Sequence, residues 1–217
     1  MQLRPSGKAG PVAVSLATFA RYYAAEADTW EALALTRARV VWASSPAFAH
    51  EAEAAIISAL RLPRDPARTR TDAADMRALM TKARPPHGPW DLKLLPGGLV
   101  DIEFAVQTLQ ILHGADGGPL RTNTGQALLA LRQAGLADAE ALIILAQAWR
   151  LQQNLTQLLK LALDDGADPT SEPERFRALL ATAGGEPDFD ALQARLAVRQ
   201  AQAHQAFQAI AGPPSGT

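Results

Sequence analysis

No cysteine occurs in the 217 residues, which excludes disulfide bridges and thiolate metal sites and suits a reducing compartment. Aromatic residues make up only 6% and β-branched runs are nearly absent, so the chain has little material for a sheet-based core. Neither sign of charge is in excess. Lys and Arg number 21 against 22 Asp and Glu, a net charge of −1, which removes the broad electrostatic case for nucleic acid or an anionic membrane as partner. Nowhere do roughly 18 apolar residues run uninterrupted, as a membrane span requires, and Met1-Gln2-Leu3-Arg4-Pro5 does not read as a signal peptide. The four histidines, His50, His87, His113 and His204, are scattered without an i, i+4 partner, so a zinc site is not expected. No internal repeat points to a solenoid. What remains is a chain of cytoplasmic type, rich in Ala, Leu, Gln and Arg, and the expected class is mainly α.

Punctuation sets the order of the elements. Met1 to Val14 reads as an extended piece interrupted by Ser6-Gly7-Lys8-Ala9-Gly10-Pro11, like a strand taken from a sheet, and a strand beginning in mid-ladder reads as a piece of a longer protein. Ser15 caps a helix through Glu26, Thr29 caps the next with Trp30, Leu33, Val40 and Val41 apolar, and Ser45-Pro46 opens a third to about Leu60. A fourth, from about Ala67 to Ala83, carries Asp72, Asp75, Arg77 and Lys82 in the pattern of a solvated face. Pro85-Pro86-His87-Gly88-Pro89 breaks the chain, and Trp90 to Lys93 follows as a short extended piece. Later helices are expected from Asn123 or Thr124 to Gln133, from Asp138 through Leu163, from Glu174 to Ala183 and from Asp188 to Ile210, before a frayed tail, 212–217. The four tryptophans are read as core.

The centre of the sequence is Lys93-Leu94-Leu95-Pro96-Gly97-Gly98-Leu99-Val100-Asp101-Ile102-Glu103-Phe104, a glycine pair feeding an amphipathic helix. Gly97 and Gly98 free the backbone for φ > 0, and the first helical amides have no internal partner, a terminus that attracts anions. Ile102, Val106 and Leu109 form an apolar line, with Glu103, Gln107 and Gln110 on a separate polar one. Two readings of Asp101 and Glu103 stand side by side. They face an active site, or they are acids favoured at a helix start by the macrodipole. Residues two apart on a helix point about 200° apart, so these two cannot hold a metal pair.

This stretch resembles the signature of glutamine synthetase adenylyltransferases. Further blocks resemble the family in order and spacing: Ser6-Gly7-Lys8-x-Gly10-Pro11 with Ser15, Trp30-Glu31-x-Leu33-Ala34-Leu35-Thr36-Arg37-Ala38-Arg39-Val40-Val41, and Pro63-Arg64-Asp65-Pro66. The resemblance covers roughly residues 1–160 and implies a nucleotidyltransferase remnant, 1–45, a helical bundle, 46–211, and a flexible tail, 212–217. The blocks look like the C-terminal, adenylylating half, which transfers AMP from ATP to a tyrosine of glutamine synthetase with magnesium. The family's catalytic acids come from a Gly-Ser motif followed by Asp-x-Asp and from a strand just before Arg-Leu-Arg-Pro. Met1 to Gly7 resembles that strand beginning one residue after its aspartate, with Gln2 where arginine is usual. None of the three acids is present, so the chain alone is expected to be inactive and to hold no cofactor.

The resemblance also implies glutamine synthetase and a PII signalling protein as partners of the intact enzyme, and control by glutamine. Arg4, Lys8, Arg37 and Arg39 are candidates for nucleotide or phosphate binding, with surface ion pairing the alternative for the Arg37 and Arg39 pair. Lys93, Gly97, Gly98, Asp101 and Glu103 are candidates for the face turned toward the active site. Three alternatives stay open: the adenylyl-removing half, acting by phosphorolysis of the AMP-tyrosine bond; a non-catalytic helical module that binds a partner; and, as a remoter relative, a PII uridylyltransferase, which no phosphohydrolase His-Asp pair in the sequence recommends. An exposed apolar patch and a dimer through it are further expectations.

Overall fold

The computed structural model describes residues 12–164 and 167–215. Among these the chain is helical without a strand: α1 Leu16–Ala25, α2 Thr29–Leu35, α3 Pro46–Leu60, α4 Pro66–Ala83, α5 Leu99–Leu112, α6 Thr124–Gln133, α7 Ala139–Ala162, α8 Glu174–Gly184 and α9 Phe189–Ala211. The mainly α expectation holds. The strand remnant expected at the N-terminus falls largely on residues 1–11, outside the described residues.

Side-chain caps set most helix starts. Ser15 accepts from the Thr18 amide, Ser45 from Phe48, Asp65 from Arg68, Asn123 from Gln126, Asp138 from Ala141 and Asp188 from Ala191, each satisfying a donor the first turn leaves open. Pro46 and Pro66 stand at first helical positions, where no amide is needed. Helix α8 ends on Gly185 in the left-handed region, φ +76°.

Three apolar clusters form the core, two of them built on α5. The largest joins Ile102, Val106 and Leu109 to Leu128 and Leu131 of α6, Leu142 and Leu145 of α7, and Phe207 and Ile210 of α9. A second packs Trp90 and Leu92 against Leu155 of α7, Leu180 of α8 and Leu192 of α9, with the Trp90 and Phe189 rings stacked at 5.3 Å. A third joins Leu33 of α2, Leu60 of α3, Ala73 of α4 and Ile111 of α5, with Phe19 and Tyr23 of α1 at its edge.

Several expectations change. Of the 14 residues of α5, 11 are buried, Gln107 and Gln110 among them, so of the polar line only Glu103 reaches the surface. Gln110 serves the next loop, its Oε1 accepting from the Arg121 amide at 2.6 Å. Helix α2 follows Asp28 rather than being capped by Thr29, and it stops at Leu35, so Arg37, Arg39, Val40 and Val41 lie beyond it. Trp42 is 82% exposed and is not core. Arg77 is buried, not on a solvated face. Residues 89–97 form successive turns, because the amides of Asp91, Leu92, Leu94 and Leu95 bond carbonyls only two to four residues back. The tail is tied to α4 as far as Ser215, whose amide donates to Asp75 Oδ1 at 2.7 Å and whose hydroxyl donates to Oδ2; these bonds hold the Asp75 carboxyl below its ordinary range. Gly216 and Thr217 lie outside the described residues.

Tyr23 supplies a pH test of the third cluster. Burial first, and then the Glu31 charge, push its phenol from 10.0 up to about 12. A folded value above the unfolded one gives a contribution fully present below pH 10.0 and lost as pH rises through about 12. Melting temperature should fall across that window, with a shallower fall in Tyr23→Phe.

Candidate functional site

The glycine turn is built from its own backbone. Arg77 of α4 donates through Nη2 to the carbonyls of Leu94 and Leu95 at 2.8 and 3.4 Å, and Asp91 Oδ1 accepts from the Leu94 amide at 3.0 Å. The chain then folds back so that the amides of Gly98, Leu99 and Val100 donate to the carbonyls of Leu95, Leu92 and Lys93 at 2.8, 2.8 and 3.1 Å. These are the donors that a helix start would otherwise offer an anion. Bonded inside the protein, these three amides are not open to an anion.

The two glycines act differently. Gly97 has φ +76°, and a Cβ there would lie 1.8 Å from the Gln200 carbonyl oxygen of α9. Gly98 is extended at φ −72°, ψ −178°, so its need is close approach: a Cβ would stand 2.8 Å from the carbonyls of both Leu92 and Leu95. The expected positive φ is found at Gly97 and not at Gly98.

Asp101 fixes the turn from beneath. Its Oδ2 accepts from the Gly97 amide at 2.7 Å, and its Oδ1 is bonded to Nε of Arg77; both side chains are almost wholly buried. His204 of α9 brings Nδ1 to Asp101 Oδ2 at 2.7 Å, with Gln208 against its other ring nitrogen at 3.0 Å. From above, Nε2 of the buried Gln152 of α7 donates to the Gly97 carbonyl at 2.9 Å. Asp101, Gly97 and Gly98 are therefore interior. Sequence reasoning placed Arg77 in solvent and gave no role to His204 or Gln152. No local pattern signals these partners, since His204 stands 103 residues from Asp101 and Gln152 stands 55 from Gly97.

Glu103 points elsewhere, as its two-residue offset from Asp101 requires. Its Oε1 lies 2.8 Å from Arg37 Nη1, which also reaches Thr124 Oγ1 at 3.5 Å. Glu103 and the exposed Lys93 line one cleft of about 470 Å³ with His87, Asp91, Thr156 of α7 and Lys160. Trp90, Leu92 and Leu159 supply apolar lining. Glu103 and Lys93 thus share one polar rim, to which Arg37 is tied by its ion pair with Glu103. Arg39 is exposed and makes no ion pair among the described residues, so the two arginines do not act as a pair. Arg4 and Lys8 lie outside the described residues.

The Arg37 and Glu103 side chains are 48% and 32% exposed, so solvent screens their attraction. A double-mutant cycle with Arg37→Ala and Glu103→Ala in chemical denaturation should give a coupling of about 0.2–1 kcal/mol. A coupling several times larger would mark the pair as part of the core.

Residues 1–55 match the family model of glutamate-ammonia ligase adenylyltransferase, and residues 70–210, most of the chain, match that of GlnD PII-uridylyltransferase. The chain belongs to the family that this second model describes. It also resembles glutamine synthetase adenylyltransferases over nearly its whole length. It is 60% identical over 210 residues to a bifunctional glutamine synthetase adenylyltransferase/adenylyl-removing enzyme of Caulobacter vibrioides, an alignment covering 97% of this chain and 21% of that protein. Proteins of the same description from a Bradyrhizobium species and from Rhodopseudomonas palustris are 43% and 42% identical over 211 and 216 residues, again 21% of their length. The chain spans about a fifth of the length of these curated relatives.

Among the described residues no helix is long and apolar enough to cross a membrane, and no group of three or more His, Asp or Glu is placed to hold a metal ion.

Proposed function

We propose that this chain is a C-terminal part of the adenylylating half of an enzyme that transfers AMP from ATP to a tyrosine of glutamine synthetase in the cytoplasm. The observation that carries this is the 60% identity running through 97% of the chain. Residues 1–45 belong with the nucleotidyltransferase part and 46–211 form the helical bundle. In the transfer the tyrosine oxygen bonds the α-phosphorus and pyrophosphate leaves. The exposed Lys93 and Arg37 present cations to a phosphate or carboxylate at the rim, and Glu103 orients Arg37. Asp101, Arg77 and Gln152 hold the turn that carries Lys93.

Magnesium does not fit the described residues. Asp101 is committed to Arg77, His204 and the Gly97 amide, and Glu103 to Arg37, so no step through a metal is assigned to them. We further propose that the chain alone is inactive and that the intact enzyme answers to a PII signalling protein. A second reading, the adenylyl-removing half, draws support from the double activity in the relatives' names.

The test is transfer of labelled AMP from magnesium-ATP to glutamine synthetase by the full-length polypeptide carrying this segment. Transfer is expected, with Lys93→Ala and Glu103→Gln lowering kcat/KM about tenfold, a loss of roughly 1.4 kcal/mol. Label entering glutamine synthetase from this chain alone, or none from the full-length polypeptide, would overturn the reading.

A further inference from the structure

Residues 38–43, Ala38-Arg39-Val40-Val41-Trp42-Ala43, leave α2 and run without helix, turn or bend to the Ser44-Ser45 bend. Exposure alternates over Ala38 to Val41: Ala38 and Val40 are half-buried, Arg39 and Val41 exposed. That is the period of a strand. Val-Val-Trp is also strand-forming in composition. Among the described residues, the amides and carbonyls of Arg39 to Ser44 make no hydrogen bond with the backbone or with a side chain. The outward side chains are large and bare, Val41 at 83% and Trp42 at 82% exposure. Folded proteins protect a lone edge with lysine, proline, a bulge or a covering element, and this segment carries only Arg39.

We propose that residues 39–43 are a β-strand awaiting a sheet, and that they add by main-chain hydrogen bonds to an edge strand carried by the remaining length of the enzyme. The open amides and carbonyls specify a strand as occupant, because only another extended backbone matches them in register. No described residue of this chain offers one, whereas the relatives are about five times as long. The adenylyltransferase model matches residues 1–55 and so covers this segment together with the residues on both sides of it. A second copy is a poorer occupant, since two short strands pairing alone are marginal in water while a strand added to an existing sheet is not. A sheet on the same polypeptide also meets the segment at high effective concentration. This inference rests on the proposed membership in a longer transferase.

Hydrogen exchange read by mass spectrometry over residues 38–44 tests it, in this chain and in the full-length polypeptide. The isolated chain should exchange these amides at the rate of free peptide at every concentration, and the full-length polypeptide about 100-fold more slowly. Val41→Pro, which removes one donor, should leave the isolated chain's Tm unchanged and abolish the slowing at Val40, Trp42 and Ala43 in the full-length polypeptide. Equal, fast exchange in both would overturn the proposal, and so would protection that grows with concentration in the isolated chain, which would name a second copy as occupant. AMP transfer measured on the same full-length sample separates the two readings. Transfer without protection rejects the strand alone, and protection without transfer rejects the transferase reading alone.

Discussion

Replacing Gly97 with alanine should cost the fold roughly 2–6 kcal/mol, the sum of a backbone held outside its allowed region and a collision in a packed interior. The methyl would fall 1.8 Å from the Gln200 carbonyl oxygen, with Gln200 C and Cα close behind at 2.5 and 2.9 Å. These are backbone atoms in the middle of α9, so no side chain can swing clear. Either α9 shifts or the turn rebuilds, and each route breaks the bonds that the Gly97 amide and carbonyl make with Asp101 and Gln152. A thermal melt should show a loss of about 10 °C. Gly135→Ala is the control, because Gly135 also has positive φ, +65°, yet meets nothing within 4 Å. It should lose only about 1–2 kcal/mol, the ordinary cost of a left-handed alanine. Equal losses at the two positions would show that the turn is not pinned against α9.

Asp101→Leu should be comparably damaging, about 3–5 kcal/mol, because it leaves the Arg77 guanidinium buried without a counter-charge. Arg77→Met should cost a similar amount, leaving the carboxylate to His204 and one amide. The double variant Asp101→Leu with Arg77→Met is expected to recover part of the loss, since two well-packed apolar side chains avoid burying an unpaired ion. Recovery will be incomplete, because the Gly97 amide and His204 still lose their acceptor. Denaturant titration of the four proteins measures this as a coupling energy, and simple additivity would mean that Arg77 and Asp101 stabilise the fold independently.

How legible each feature was depended on its range. Helix starts were readable because a cap acts within three residues, as at Ser15, Ser45, Asn123 and Asp138. The end of α2 was not, because Leu35-Thr36-Arg37-Ala38 carries no glycine or proline to mark the stop. The 3.6-residue pattern found the inward line of α5 through Ile102, Val106 and Leu109, but it misread Gln107 and Gln110, whose burial comes from helices packing on the other side. At the candidate site, helix geometry separated Asp101 from Glu103, and their opposite environments follow from it. It could not say that the buried one would be Asp101, since Arg77 and His204 reach it from distant parts of the sequence. The anion-attracting reading of the glycine turn failed for a related reason. The turn's own carbonyls fold back onto the orphan amides, a match visible only in three dimensions.

The clamp on Gly97 also orders events in time. Its amide and its carbonyl are gripped by α5 and α7, and the carboxylate beneath it is engaged by a histidine 103 residues further along. Contacts of that separation close late, because the loop entropy must be overcome before they reward it. On the ribosome, the turn at the middle of the sequence therefore stays unfinished until α9 has emerged and docked.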